Sequence, residues 1–407
     1  MFGDGQDDEQ LRASWHRFCD QLKDAGDLVF RDTAPKGSVS RATGMRQLAR
    51  NISLGLQFEL ENRDPEFPEL LHYFDPLRKQ GGDNTDALYV GGPVNGRDTY
   101  RIYGQRGNAA YFAITLLEDG DTPWGGKVVG TLIDDQLQVA EDGSFELIIS
   151  PEQSPDQNPN QNPDEPPVNW LQSTPDTYRI TFRQFFADWE NEQPMTVVIE
   201  REGSAKPPEP LTAEQLDRGL SGAAQWIHRS IEYWADMLDK WQVRPNEFIS
   251  YGELESNSID FTPGGAPLIS YWKLPRDEVM FIRVTPPNAS YWAVEFGSYW
   301  WETMDYRYRL CSLNQHHAVL EDDGSLLVVV SHEDPGVPNW LDPSGHEEGY
   351  VTFRWIGADH YPRPTVEQFS ARDLETRLPA SVQRIKPEQR ADQLRRRRLG
   401  VIKRFGV

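Results

Sequence analysis

Four short sequence segments occur twice in this chain, in the same order. The clearest is Asn-Trp-Leu, at 169–171 and again at 339–341. The other matched pairs are 107–116 with 287–296, 142–144 with 323–325, and 181–183 with 352–354. The first two pairs along the chain are about 180 residues apart and the last two about 170, and a proline-rich insert, 151–167, lies where the spacing changes. This order predicts two copies of one ancestral domain.

Each copy consists of short apolar segments separated by Gly and Asp. AAYFAITLLE at 109–118 and LLVVVS at 326–331 are rich in β-branched and aromatic residues. Such segments, with a turn every ~10 residues, are typical of antiparallel sheets. We therefore predict a mainly β protein with helical additions (α+β), in which two related antiparallel β-sandwich or barrel domains arose by internal duplication.

Helical periodicity is found outside the two copies. Leu11, Trp15 and Phe18 recur at helical spacing near the N-terminus, and a capping box at Thr212 and Gln215 precedes a long amphipathic stretch. The predicted organisation is a helical N-terminal segment (1–85), a first β domain (86–205) with the insert 151–167, a connecting helix region (206–262), a second β domain (263–362) and a basic helical C-terminal segment (363–407).

Composition excludes several classes of function. With 64 acidic and 41 basic residues the net charge is −23, which discourages general binding to nucleic acid. No apolar stretch is long enough to span a membrane. Two cysteines indicate no disulfide framework, and the acidic N-terminus shows no secretory signal, so a cytoplasmic location is expected. The basic run Arg395–Arg398 is either a solvated terminal helix docked on the acidic body or an arm that binds anions or membrane surfaces.

One stretch of the second copy has a family resemblance. Residues 325–357 place His-x-Asp-Pro-Gly (332–336) before Asn-Trp-Leu and end in a strand with Arg354. This pattern resembles the C-terminal signature of the bacterial domain-of-unknown-function 1214 family, often found with the family numbered 1254. Asn314 corresponds to a recurring Asn of that family. The resemblance extends over roughly 265–360 and is faint over 86–200, where His-x-Asp-Pro-Gly is missing.

The resemblance implies a β-sandwich with helical additions. It also implies a bacterial catabolic setting that involves steroids, aromatics or sulfo-conjugates. It names no reaction, because a fold does not determine a function.

The second-copy loop contains the candidate catalytic residues His332, Asp334 and His346. A carboxylate beside a histidine orients the ring and tunes its pKa for acid–base work. We therefore hypothesise that His332 or His346, oriented by Asp334, faces a cleft beside Trp340. The alternative is structural: Asp-Pro-Gly is a turn sequence, and Asp334 then caps that turn.

Aromatic and polar residues nearby are candidates for ligand binding. Trp300 and Trp301 cannot both face inward on a regular strand, so one of them is expected at a pocket, a partner helix or the surface. Asn-Trp-Leu itself also has a structural interpretation, as an anchor of the crossover before Thr-Phe-Arg. The predicted ligand-binding residues are Asn314, Trp300, Asn339, Trp340, Arg354 and Tyr308.

A metal or cofactor is not indicated by any motif. His316 and His317, as neighbours on a strand, would point to opposite faces, so at most one of them joins a site, and a metal is the weaker alternative because an open site needs three well-placed ligands. No nucleotide-binding or hydrolase motif is present.

Three classes of function stay open. The first is an enzyme of small-molecule catabolism that acts on an apolar ring compound, steroid-like or aromatic, by acid–base or hydrolytic chemistry. The second is a non-catalytic β-sandwich protein that binds a ligand or carbohydrate. The third is an interaction protein that forms a homo-oligomer.

Overall fold

A computed structural model describes residues 5–152, 168–203, 206–250, 253 and 262–406. The proline-rich insert, predicted to be an exposed loop, lies outside the described residues from position 153 onward. The helices are α1 (Gly5–Asp27), α2 (Ser38–Leu56), α3 (Ala213–Trp241), α4 (Leu374–Arg377) and α5 (Pro387–Phe405).

Helix α3 begins at the predicted capping box. Thr212 Oγ1 accepts the Gln215 backbone N–H at 3.2 Å, and Gln215 Oε1 accepts the Thr212 N–H at 2.8 Å. Ile227, Leu238 and Trp241 of its apolar face are buried. The repeated four–three spacing of this face places these side chains on one side of the helix, against the body of the protein.

The first half of the chain forms two sheets. One has the strand order β1-β2-β8-β4-β5 and the other β7-β6-β3-β9. The strands are β1 (Leu71–Phe74), β2 (Ala87–Pro93), β3 (Tyr100–Gln105), β4 (Tyr111–Glu118), β5 (Val128–Ile133), β6 (Ser144–Ser150), β7 (Val168–Gln172), β8 (Thr177–Phe185) and β9 (Thr196–Arg201).

The second half repeats both sheets. Their orders are β10-β11-β17-β13-β14 and β16-β15-β12-β18. The strands are β10 (Ile249–Ser250), β11 (Leu268–Lys273), β12 (Glu278–Val284), β13 (Tyr291–Ser298), β14 (Ser312–Asn314), β15 (Leu326–Val330), β16 (Trp340–Leu341), β17 (Glu348–Ile356) and β18 (Thr365–Ser370). Every strand of the first half has its counterpart nine strands later, which confirms the predicted duplication and the mainly β fold class.

The sequence pattern predicts antiparallel sheets, but one strand pair in each half is parallel. β6 pairs with β7 in parallel, and β15 pairs with β16 in the same way. The other strand pairs that the structure describes are antiparallel. The parallel strand is in each half the one that contains Asn-Trp-Leu.

Asn-Trp-Leu has the same structural role in both halves. Asn169 Nδ2 donates to the carbonyl oxygens of Gln138 and Glu146, and its Oδ1 accepts the Gln138 N–H. Asn339 bonds in the same way to Val319 and Leu327. Each Asn therefore ties the parallel strand to an incoming loop and to the neighbouring strand through three backbone groups.

The tryptophan of each motif also has a hydrogen-bond acceptor near the end of the neighbouring strand. Trp170 Nε1 donates to Ser150 Oγ, and Trp340 Nε1 donates to the Ser331 carbonyl, both at 2.9 Å. A tryptophan that is partly buried needs such a partner for its indole N–H. The repeated motif is therefore explained by the crossover that it anchors.

The two halves meet along their five-stranded sheets. The rings of Tyr111 and Phe185, and of Phe185 and Tyr291, have centroids 5.1 Å apart, and all three side chains are buried. α3 covers part of this seam, where the ring of Trp234 stacks on that of Trp301 of the second half with centroids 5.9 Å apart.

Among the described residues, no helix is both long and apolar enough to cross a bilayer.

Replacing either motif asparagine is expected to destabilise the fold. Asn339→Ala and Asn169→Ala each leave three backbone groups without their side-chain partner, and we expect a loss of about 2–4 kcal/mol in the free energy of unfolding. Urea unfolding would measure it. Asn288→Ala, at an exposed position, is the control and should change stability by less than about 0.5 kcal/mol. Motif variants as stable as this control would contradict the anchoring role.

A candidate ligand cleft beside the C-terminal helix

The histidine and aspartate of His-x-Asp-Pro-Gly have separate partners in the structure. His332 Nε2 lies 3.0 Å from the carbonyl oxygen of Leu274. Asp334 accepts hydrogen bonds from Arg390 of α5, at 2.8 Å from Nε and 3.0 Å from Nη2, and also from the Gly336 N–H. Arg390 lies over the Trp340 ring at 5.1 Å. This loop therefore holds α5 in place.

His346 lies in a different part of the molecule. It is buried, and its Nε2 is 3.4 Å from Thr43 Oγ1 of α2. With Glu302, Arg46 and Arg309 it lines a cavity of about 240 Å³. Burial, with Arg46 and Arg309 nearby, lowers the pKa of His346 to about 4.

The predicted ligand-binding residues are also spread over the second half. Trp300 is buried against α2, where its Nε1 donates to the Ser40 carbonyl at 2.8 Å. Arg354 forms an ion pair with buried Glu295 at 2.6 Å. Tyr308 is half exposed beside α5. Trp300 and Trp301 follow β13 in a turn, so each packs on a different helix, and both are buried.

The residues that the structure does bring together are Trp340, His316 and His317. They line a cleft of about 420 Å³ between the two halves and α5, and Asn314 is buried behind His317. The first half contributes the loop 188–191, the second half contributes β14 with the turn after it, and α5 contributes Gln393, Arg396 and Arg397. The volume falls in the ~300–1,000 Å³ range of small-molecule sites.

His316 and His317 both line this cleft, although neighbours on a strand were expected to point apart. They lie in the turn that follows β14, with ring centroids 5.1 Å apart. Asn314 shapes the turn, because its Oδ1 accepts the N–H groups of His316 at 3.1 Å and His317 at 3.2 Å. The same oxygen lies 2.7 Å from the Nδ1 of His317.

The orientation of the Asn314 amide is fixed from behind. Its Nδ2 donates to Asp86 Oδ2 and to the Ala187 carbonyl, both at 3.0 Å. The amide oxygen must therefore face the turn. Because that oxygen can only accept, the Nδ1 of His317 carries the ring proton in the neutral form, and Nε2 carries the lone pair.

Asp86 is the buried centre of this network. Besides the bond from Asn314, it accepts a hydrogen bond from the Tyr291 hydroxyl at 2.6 Å and one from the Trp189 indole N–H at 2.9 Å. Burial raises the pKa of Asp86, whereas the bonds from Tyr291 and Asn314 and the charges of Arg404 and Arg397 lower it. The carboxylate thus receives hydrogen bonds from both halves of the protein.

The electrostatics of the cleft favour a neutral His317. His317 is exposed on the cleft, and its ring lies beside those of Trp189 and His316. Desolvation of the ring, and then the charge of Arg397, lowers the pKa of His317. The ionised side chains that line the cleft are Asp188, Glu190, Arg396 and Arg397. Their charges cancel, so the cleft carries no net charge of either sign.

Arg397 is the side chain of the basic run that packs into the seam. Its guanidinium lies 4.6 Å from the Trp189 ring, and its Nε donates to the Tyr306 carbonyl at 2.8 Å. Arg395 and Arg396 instead pair with Asp392 on the surface of the same helix. The basic run therefore has one arginine that is part of the core and others that face solvent.

No metal centre is evident in the part of the chain that the structure describes, where no three His, Cys, Asp or Glu side chains are grouped to hold an ion.

The sequence signal for the site is Asn-x-x-His at 314–317. An Asn side chain that accepts the next backbone N–H groups forms a turn, and this turn brings the residue three positions later against the Asn side chain. Asp86 and Trp189 carry no such local signal, because their role depends on contacts more than 100 residues away along the chain.

Comparison with known proteins places both copies in one family pattern. A family model described as "Protein of unknown function (DUF1214)" matches residues 85–188 and 278–360, including the first copy. The crystal structure of an uncharacterized protein from Burkholderia cenocepacia is 32% identical, covers 89% of this chain and 98% of its own, and has a TM-score of 0.81. The crystal structure of the VPA0106 protein from Vibrio parahaemolyticus is 11% identical. The match covers 85% of this chain and 100% of that protein, with a TM-score of 0.44. No curated protein matches.

Acidification is expected to destabilise the protein through His346. The pKa is about 4 in the folded protein and 6.5 without the fold. Between these values the unfolded chain binds more protons, so the free energy of unfolding falls with falling pH, by up to about 1.4 kcal/mol per pH unit for this group. Urea unfolding of the wild type and His346→Gln between these pH values should give a flatter curve for the variant. Parallel curves would contradict this.

Proposed function

Because the chain belongs to the DUF1214 family, whose description names no activity, we propose a function from its own cleft: it binds an uncharged ring compound there, and His317 acts as a general base on it. Such an activity suits small-molecule catabolism, in which steroid-like or aromatic rings are processed by proton transfer or hydrolysis.

The observation that carries this proposal is the hydrogen bond between His317 Nδ1 and Asn314 Oδ1 at 2.7 Å. It supports a single neutral tautomer with the basic lone pair on Nε2. General-base catalysis uses the neutral form of histidine, which this hydrogen bond holds in one orientation, although the lowered pKa reduces the basicity of Nε2. Asp86 behind Asn314 restrains the amide, so it is a positioning residue.

The surfaces around His317 support an apolar ring as ligand. Trp340 and Pro338 line the cleft from the second half, and Ile385 lines it from the segment before α5. Trp340 is partly exposed and offers an aromatic surface to a flat molecule. Since the lining charges cancel, no charged group is needed on the ligand, and the polar side chains can bond a hydroxyl or carbonyl oxygen.

In the proposed reaction, Nε2 of His317 takes a proton from the bound compound or from a water that attacks it. The ring then carries both protons, and Asn314 Oδ1 still accepts the one on Nδ1. Returning the Nε2 proton to the product or to solvent restores the neutral histidine. A general base of this kind contributes roughly 10²–10⁴-fold to a rate.

A cytoplasmic location is part of the proposal. Both cysteines are free thiols, and burial raises the pKa of Cys311 to about 11. Unpaired thiols persist in reducing compartments. The thiol of Cys311 is therefore suited to packing and not to redox chemistry.

Proton exchange tests the proposal without knowledge of the natural substrate. Acetophenone and a steroid ketone, both uncharged, would be incubated with the protein in D₂O, and binding and exchange of the protons next to the carbonyl would be followed by NMR. We expect His317→Gln to slow exchange at least about 100-fold while binding persists. Because the pKa of His317 is lowered, wild-type exchange should hold constant as the pH falls through about 6.5.

His316→Gln is the matched control, since it alters the neighbouring ring of the same turn and leaves the Asn314 bond to His317. It should retain most of the exchange rate. Binding with no exchange in the wild type would contradict catalysis and favour a binding protein, and equal rates for wild type and His317→Gln would exclude His317 as the base. If neither ketone binds, the assignment of the cleft to ring compounds is wrong.

A further inference from the structure

We propose that a second site, on the other side of α5, binds a free single-chain anionic amphiphile such as a medium-chain carboxylate. The site is a groove of about 470 Å³ between α5, the segment 72–78 and Arg307–Tyr308. It shares no lining residue with the cleft described above.

Large apolar side chains are unusually exposed along this groove. Leu77 is 61% exposed, Tyr308 52% and Ile402 37%. Phe405 extends the same apolar surface along α5, and the buried Val401 also lines the groove. An apolar surface that is contiguous and concave is typical of a binding site, because burying it against a ligand chain removes it from water.

The charges around the groove favour an anionic headgroup. Arg78, Arg307 and Arg398 line it, against one carboxylate, Asp75. The lining of the groove is thus positively charged, whereas the whole chain has a net charge of −23. An anion is therefore attracted to this surface although the protein as a whole repels it.

Arg398 is the cation best placed to meet a headgroup. Arg78 is paired with Asp75 at 2.8 Å, and Arg307 with Asp305 at 2.9 Å. Arg398 is exposed, and its guanidinium carbon lies 5.3 Å from the centroid of the Tyr308 ring. The guanidinium carbon of Arg307 lies 5.2 Å from the same centroid. A carboxylate at Arg398 would lie beside the exposed Tyr308 while its chain lies along Leu77 and Ile402.

Titration with decanoate, followed by calorimetry below its micelle concentration, tests this site. We expect saturable binding with one equivalent, weakened at least about tenfold in Arg398→Glu, which reverses the charge, and in Leu77→Asp, which interrupts the apolar surface. Both residues are exposed, so these variants should fold. Decanol, which lacks the charge, should bind at least about tenfold more weakly than decanoate.

Leu399→Asp is the matched control, because Leu399 is an exposed neighbour on the same helix that does not line the groove. It should bind decanoate as the wild type does. Unaltered binding in both groove variants, or equal affinity for decanol, would overturn the proposal. Binding to phosphatidylglycerol vesicles without binding of free decanoate would also overturn it, since that result assigns the surface to a membrane.

Discussion

The hydrogen bonds of Asp86 are the interaction on which the rest of the structure depends. This buried carboxylate lies immediately before the first-half strand β2 and accepts hydrogen bonds from Tyr291 and Asn314 of the second half. A buried carboxylate is costly unless hydrogen bonds and opposite charges compensate it. Both kinds of compensation are present, because the charges of Arg397 and Arg404 of α5 partly offset the rise in the pKa of Asp86 that burial causes. The seam between the halves, the position of α5 and the orientation of Asn314 are therefore linked.

This linkage explains why the cleft is asymmetric in a duplicated fold. Both halves keep the same strand order and the same Asn-Trp-Leu anchor. The cleft, however, is built from a first-half loop, a second-half turn and the C-terminal helix α5. A site of this kind needs two unlike surfaces, and the duplication supplied two similar ones that later diverged. The His-x-Asp-Pro-Gly loop of the second half differs from the first-half insert, and its Asp334 now fixes α5 through Arg390.

The fold could be predicted from the sequence because the duplication leaves matching segments that are local and ordered. The parallel pairing of Trp340–Leu341 could not, since a two-residue strand has no periodicity to show its direction. The candidate site was predicted only in part. Trp340 lines the cleft and Asn314 is buried behind His317, but sequence proximity grouped His332, Asp334 and His346, whose partners are 56 to 303 residues away. Contacts distant in sequence separate those three residues, and a single sequence does not contain them. His317, by contrast, is oriented by Asn314 three positions earlier, so its Asn-x-x-His spacing is a local signal that the prediction did not use.

The tautomer of His317 at neutral pH tests the central claim most directly. A long-range ¹H–¹⁵N spectrum of protein labelled with ¹⁵N-histidine, assigned with His317→Gln, distinguishes the two neutral forms and the cation. The structure predicts a neutral ring with its proton on Nδ1 and an unprotonated Nε2. An imidazolium, or a ring with its proton on Nε2, would contradict the hydrogen bond to Asn314 and with it the proposed base.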